Sequence, residues 1–225
     1  KLPPSGALPA LELQIAPASS ARLSTQSAAL LPPAARSLAL QNLLQKKPLV
    51  VDVAKDWLTW AEALLLALPA PLRFQVSFAA GLRFSLGRGH MLHVIRDDKN
   101  TKSKVSAQGI QYVDGKSMPT ILGSHWHAFV ERHWVAADLS GLASRTSRRF
   151  EDCSPEARER VGELYNTMDD FPQTDSTRLL DIVSRSFYAL QGGVEADIRR
   201  ELRDHAQRQL LSRFSGTAWS QIKPI

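Results

Sequence analysis

Residues 68–88 read LPAPLRFQVSFAAGLRFSLGR. The leucine–proline step ends any preceding helix, because proline lacks an N–H and its ring clashes with the turn before it. Phe74, Val76 and Phe78 then alternate with Arg73, Gln75 and Ser77, the period of two expected of a strand with one face buried. Gly81 supplies the positive φ that a turn needs. The loop after it carries Arg83, Ser85, Gly87 and Arg88. The stretch therefore predicts a helix stop, a strand, a turn and a basic loop, in that order.

Working upstream, Asp56 is placed to cap a helix whose Trp57, Trp60, Ala61, Leu64, Leu65 and Leu68 recur every three or four residues. Before it, PLVVDV between Pro48 and Lys55 is a continuous apolar run, which predicts a buried strand. Residues 30–44 carry apolar side chains at helical spacing behind Pro32 and Pro33, a tolerated place for proline. Leu11, Leu13 and Ile15 alternate with Glu12 and Gln14 as another strand.

Downstream, MLHVI at 91–95 predicts a strand that pairs with 73–78 as a hairpin across a long connection. Residues 97–106 read as a polar loop, and 109–115 as one more short strand. From Ser124 the period becomes helical throughout. Ser124 caps a helix with Trp126, Phe129, Val130, His133 and Trp134 on one face, and Ser154–Pro155 opens one with Ala157, Val161, Leu164 and Met168. Leu179, Val183, Phe187 and Leu190 mark a third helix that ends at Gly192 and Gly193. Val194, Ile198, Leu202, Ala206, Leu210 and Phe214 mark a fourth. The expected fold is α/β: a small mixed sheet with flanking helices over 1–140, then a helical subdomain over 141–225 packed on it.

The chain has 225 residues, 44% of them hydrophobic and 22% charged, ordinary values for a globular protein. It begins at Lys1, which suggests a trimmed or processed chain or a piece of a longer polypeptide. The opening run has no signal-peptide core, and no 18 consecutive apolar residues follow. With a single cysteine, Cys153, no internal disulfide can form. A cytoplasmic, non-membrane protein is expected. The net charge of +6 is unevenly spread. Residues 71–104 hold Arg73, Arg83, Arg88, Arg96, Lys99, Lys102 and Lys104 against Asp97 and Asp98, a local balance of +5, whereas 141–175 is acidic. A basic patch is the footprint of an acidic partner, and it is equally the mark of a well-solvated surface.

Chemistry-bearing clusters are sparse. His125, His127 and His133 fall close together, but side chains two apart on a helix point about 200° away from each other. They therefore predict no metal site; His127 and Glu131, four apart, are placed to pair at the surface. The loop at 81–89 lacks the GK[ST] and GxGxxG patterns of phosphate cradles. Arg83 and Arg88, with Arg73, Ser77 and Ser85, form the one candidate anion or partner site, through charge-assisted hydrogen bonds. Cys153 follows Glu151 and Asp152, which suppress its thiolate, and no serine sits in a G-x-S-x-G elbow. No catalytic residue and no cofactor is implied. Trp219, in a tail with little periodicity, is a candidate partner contact.

At Leu68, Pro69, Arg73, Val76, Ser77, Phe78, Gly81 and Leu82 the chain resembles bacterial GTPase-associated proteins of predicted conflict systems. Their leucine-rich helix ends in a leucine–proline step, followed by an arginine and a strand close to VSFSTG; here VSFAAG puts Ala79 and Ala80 at the serine and threonine. Phe84, Ser85, Arg88, His93 to Ile95, His125 and Trp126 are also similar. The likeness covers residues 60–135 of the 225. It implies a multidomain adaptor or sensor beside a GTPase and an effector in bacterial defence. The expected function is thus a non-enzymatic regulatory or scaffolding module that binds other proteins, a GTPase or effector subunit among them. The alternative is a nucleic-acid- or nucleotide-binding module working through 71–104.

Overall fold

The computed structural model describes residues 32–53, 57–82, 84, 85, 87, 89–95, 99–114, 123–171, 174–186 and 193–214. In chain order these form α1 (Pro33–Leu44), β1 (Leu49–Asp52), α2 (Trp57–Leu66), α3 (Ala70–Arg73), β2 (Phe78–Ala80), β3 (Leu92–Ile95) and α4 (Lys99–Ser106). β4 (Gln111–Val113), α5 (His125–Val135), α6 (Leu139–Thr146), α7 (Pro155–Asp169), α8 (Ser176–Ser186) and α9 (Val194–Phe214) follow. The predicted strand at 11–15 and the tail with Trp219 lie outside the described residues, as do Phe187 and Leu190.

The expected α/β class, a small sheet with flanking helices, is present. The strand order is β2-β3-β1-β4 and every pairing is parallel. The hairpin expected between 73–78 and 91–95 is therefore not formed: Phe78 pairs with Leu92 and Ala80 with Val94 in the parallel sense. The physical reason is visible in β1 and β3, whose residues Leu49, Val50, Val51, Leu92, His93, Val94 and Ile95 are all buried. Strands covered on both faces are what parallel sheets contain, and continuous apolar runs are their signature.

Two apolar clusters sandwich the sheet. Leu49, Val51, Leu92, Val94 and Val113 face the large core built with the helices, while Val50, Ile95 and Val105 form a smaller one with Phe84, Ile110 and Tyr112 against it. The large core takes residues from both sides of position 140: Leu64, Trp126, Leu142, Tyr165 and Leu202 belong to one cluster. Trp60, Trp126 and Trp134 are buried in it, as their helical spacing predicts.

Three local expectations are corrected. Residues 70–73 form α3 rather than the start of a strand, because Pro69 and Pro71 sit where a helix begins and proline's fixed φ suits that place. Only Phe78–Ala80 is extended, Ala79 rather than Phe78 is buried, and Phe74 is 87% exposed. The polar stretch at 97–106 contains α4, whose one buried apolar side chain among the described residues is Val105, with Thr101 buried beside it, too little apolar content to show a period. The boundary expected between 140 and 141 falls inside α6, capped by Asp138, whose Oδ1 accepts from Gly141 N at 2.9 Å. Ser124 and Ser154 cap α5 and α7 as their sequence predicts.

The tightest approach in the helical layer is between α5 and α7. A Cβ added at Gly162 would lie 2.5 Å from Trp126 N and 2.6 Å from His125 C, both backbone atoms that cannot swing away. Elsewhere in a helix, alanine is favoured over glycine. Here Gly162→Ala is expected to lower stability by about 1–3 kcal/mol through overpacking, read from the midpoint of urea unfolding.

Candidate functional site

A cavity of about 350 Å³ opens at the amino ends of the strands. Pro48 before β1, Ser77 before β2, Met91 before β3 and Ile110 before β4 contribute to its wall. The other wall belongs to the connection from β2 to β3, which supplies Phe84, Ser85, Gly89 and His90. That connection leaves β2 at Gly81, whose N–H donates to Val94 O at 2.9 Å and whose φ is +70°. It rejoins the sheet at Met91, whose N–H donates to Ser77 O at 2.9 Å. Residues 81–91 thus return the chain from the carboxyl to the amino edge of the sheet, with Phe84 packed on the smaller core.

His93 lies within this wall, 5% exposed, with Phe84 edge-on at 4.9 Å between ring centroids and His90 at 5.5 Å. Ser77 Oγ accepts from Met91 N at 3.1 Å, so its hydroxyl helps fix the rim. Ser85 and His90 are half-buried. Neither the Ser85 hydroxyl nor the Lys46 ammonium bonds to another group among the described residues. The cavity size falls in the range of small-molecule sites, about 300–1,000 Å³.

Lys46 reaches this cavity from the end of α1 in an unusual backbone state. Its φ is +56°. Lys46 N donates to Leu43 O at 3.0 Å and Lys47 N to Asn42 O at 2.9 Å, the paired bonds that close a helix through a left-handed residue. Glycine is the usual occupant there, and a side chain costs about 1–2 kcal/mol.

Of the sequence-predicted site residues, Ser77 and Ser85 meet in this cavity and Arg83 and Arg88 lie outside the described residues. Arg73 is not with them. It turns back across the helix layer, where Nε donates to Leu65 O at 3.1 Å and Nη2 to Leu68 O at 3.2 Å and Thr146 Oγ1 at 2.9 Å. The terminal carbonyls of a helix lack intrahelical partners, so a guanidinium there closes α2 and ties it to α6. Arg73 is thereby a structural clamp. Lys46 was missed because a lysine in a QKKP turn carries no periodic or motif signal.

The other polar clusters pair internally, although His127 Nε2 and Glu131 Oε2 are buried without a hydrogen bond among the described residues. His127 Nδ1 lies 2.8 Å from Ser124 Oγ, and Glu131 pairs with Arg36 of α1 rather than with His127 as expected. His133 Nδ1 lies 3.0 Å from Asp138 Oδ2, but Nε2 faces the Arg145 guanidinium at 3.4 Å, where it cannot serve as a base. Arg145 in turn holds Asp169 with two bonds of 2.9 and 2.7 Å. No group of three metal-ligating side chains occurs among the described residues. Burial raises the pKa of Cys153, and Asp152 adds to it. No family model matches the chain, and no curated protein or solved structure does.

Arg73→Ala is expected to destabilise the protein by about 1.5–3 kcal/mol, since hydrogen bonds to a charged group are lost and carbonyls are stranded; thermal unfolding checks it. A second expectation concerns pH. Burial, followed by the Arg145 charge, holds the His133 pKa below its ordinary 6.5, while Asp138 and Asp169 pull weakly upward. The unfolded chain then binds the proton more readily, so this stabilisation is complete above pH 6.5 and is lost as pH falls below it. Between about pH 7.5 and about pH 5.5, wild type is expected to lose more of its urea midpoint than His133→Gln.

Proposed function

We propose that the chain is a non-enzymatic regulatory or scaffolding module that docks another protein along the β2 edge of its sheet. One observation carries this reading. Among the described residues β2 is an outer strand, and around it Phe74 is 87%, Phe78 44% and Leu82 52% exposed. Ser77 and Gly81 bond to β3, so by the period of two the backbone groups of Phe78 and Ala80 face outward. An open strand edge with apolar side chains beside it is a template for an added strand, and proteins ordinarily blunt such edges with charge or proline. The occupant is an extended, apolar-alternating segment of a partner. The resemblance over 60–135 supplies the partner class: a GTPase or effector subunit of a bacterial defence system.

The basic segment gives the nucleic-acid alternative less support. Arg73 is committed to helix carbonyls, and Lys102 pairs with Asp114 at 3.1 Å. Two of the seven cations counted along the sequence are thus already engaged, while Arg83, Arg88, Arg96 and the side chain of Lys99 lie outside what is described.

Phe78→Asp is expected to weaken the partner complex about 30-fold, as loss of an interface anchor does. The check is cross-linking of the native complex, mapped by mass spectrometry, with affinity measured for wild type and variant. Cross-links that avoid 74–82, with Phe78→Asp binding unimpaired, would sink the reading.

A further inference from the structure

The cavity at the amino ends of the strands has three features that a structural void lacks. Three of its polar groups are uncommitted among the described residues: the Lys46 ammonium and Ser85 hydroxyl bond to nothing there, and His90 makes a ring contact with His93. Pro48, Phe84, Met91 and Ile110 give it apolar and aromatic surface, and Ser77 and His93 are engaged within the wall. Lys46, the full cation among its described lining residues, stands on a backbone position where glycine would be more stable. Strain of that kind persists where a side chain is used.

A cation, an imidazole and a hydroxyl lining one cavity select an oxyanion, through charge-assisted hydrogen bonds. Phe84 and the neighbouring apolar residues select a flat hydrophobic body attached to it. Among the described residues, no carboxylate lines the cavity to oppose a negative charge. The volume of about 350 Å³ admits a small molecule.

We propose that this cavity binds a small organic anion, its carboxylate or phosphate held by Lys46, His90 and Ser85 and its ring packed against Phe84 and Met91. The site is distinct from the β2 docking edge, and each stands if the other fails. Its location departs from the usual pattern of open α/β sheets, in which ligands sit beyond the carboxyl ends of the strands. Here residues 81–91 return to the amino ends without a described helix and bring their polar groups there.

Isothermal titration of the full chain with phenyl phosphate, benzoate and inorganic phosphate tests the site. One of the two ring-bearing probes is expected to saturate a single site at least about tenfold more tightly than inorganic phosphate, from burial of its ring; which of them binds tighter identifies the oxyanion. Lys46→Gly and His90→Gln should each weaken that binding about tenfold. Lys46→Gly should at the same time raise the melting temperature by about 2–4 °C, because relief of the left-handed strain stabilises the fold, so its loss of binding is not loss of structure. Absence of saturation by both ring-bearing probes, equal affinity for inorganic phosphate, or wild-type affinity in both variants would overturn the proposal.

Discussion

The structure turns on the direction in which β3 is laid beside β2. A parallel pairing obliges residues 81–91 to carry the chain back across the sheet from its carboxyl to its amino edge, whereas a hairpin would have needed only a turn. That return brings Phe84 onto the second face, where it completes the cluster of Val50, Ile95 and Val105. It also lifts Ser85 and His90 over the amino ends of the strands. The small core, the cavity and the open β2 edge are consequences of one topological choice.

On the opposite face the helices are joined by contacts that tolerate little displacement. Trp126 donates its indole N–H to Ala67 O at 3.2 Å at the end of α2, while its backbone lies against Gly162 of α7. Arg73 joins the same end of α2 to Thr146 of α6. The Arg36–Glu131 pair links α1 to α5, with Arg36 5.7 Å from the Trp134 ring. Glu131 keeps a raised pKa, because burial outweighs the pull of Arg36. A buried ion pair adds little net stability, yet losing either partner strands the other charge. These contacts favour one arrangement of the helices, which fixes the sheet's inner face.

Much of this was legible in the residues. The helices from Ser124 onward follow from caps at Ser124 and Ser154 and from four-residue spacings, since burial of one helical face leaves a period in the sequence. LVVD and LHVI are strands as expected. The short alternation RFQVSF misled, because two prolines favour a helical start and only three residues remain for β2. α4 and α6 were invisible for another reason. Each is anchored by only two or three buried side chains, too few to show a period.

For the candidate site the division is sharper. Ser77 and Ser85 could be named from the sequence because they flank a glycine turn beside basic residues. Arg73 belonged to the same list by proximity along the chain, and folding removed it, since the nearest unsatisfied carbonyls lie on the helix before it. Lys46 entered the site from a turn more than 30 residues earlier, and nothing local marked it. What the residues alone determine here are the helices, the central strands and the position of charge, because burial and backbone chemistry act at short range. Strand direction, the return of 81–91 and the meeting of Lys46 with His90 were decided only by tertiary packing, which alone brings residues distant in the chain together.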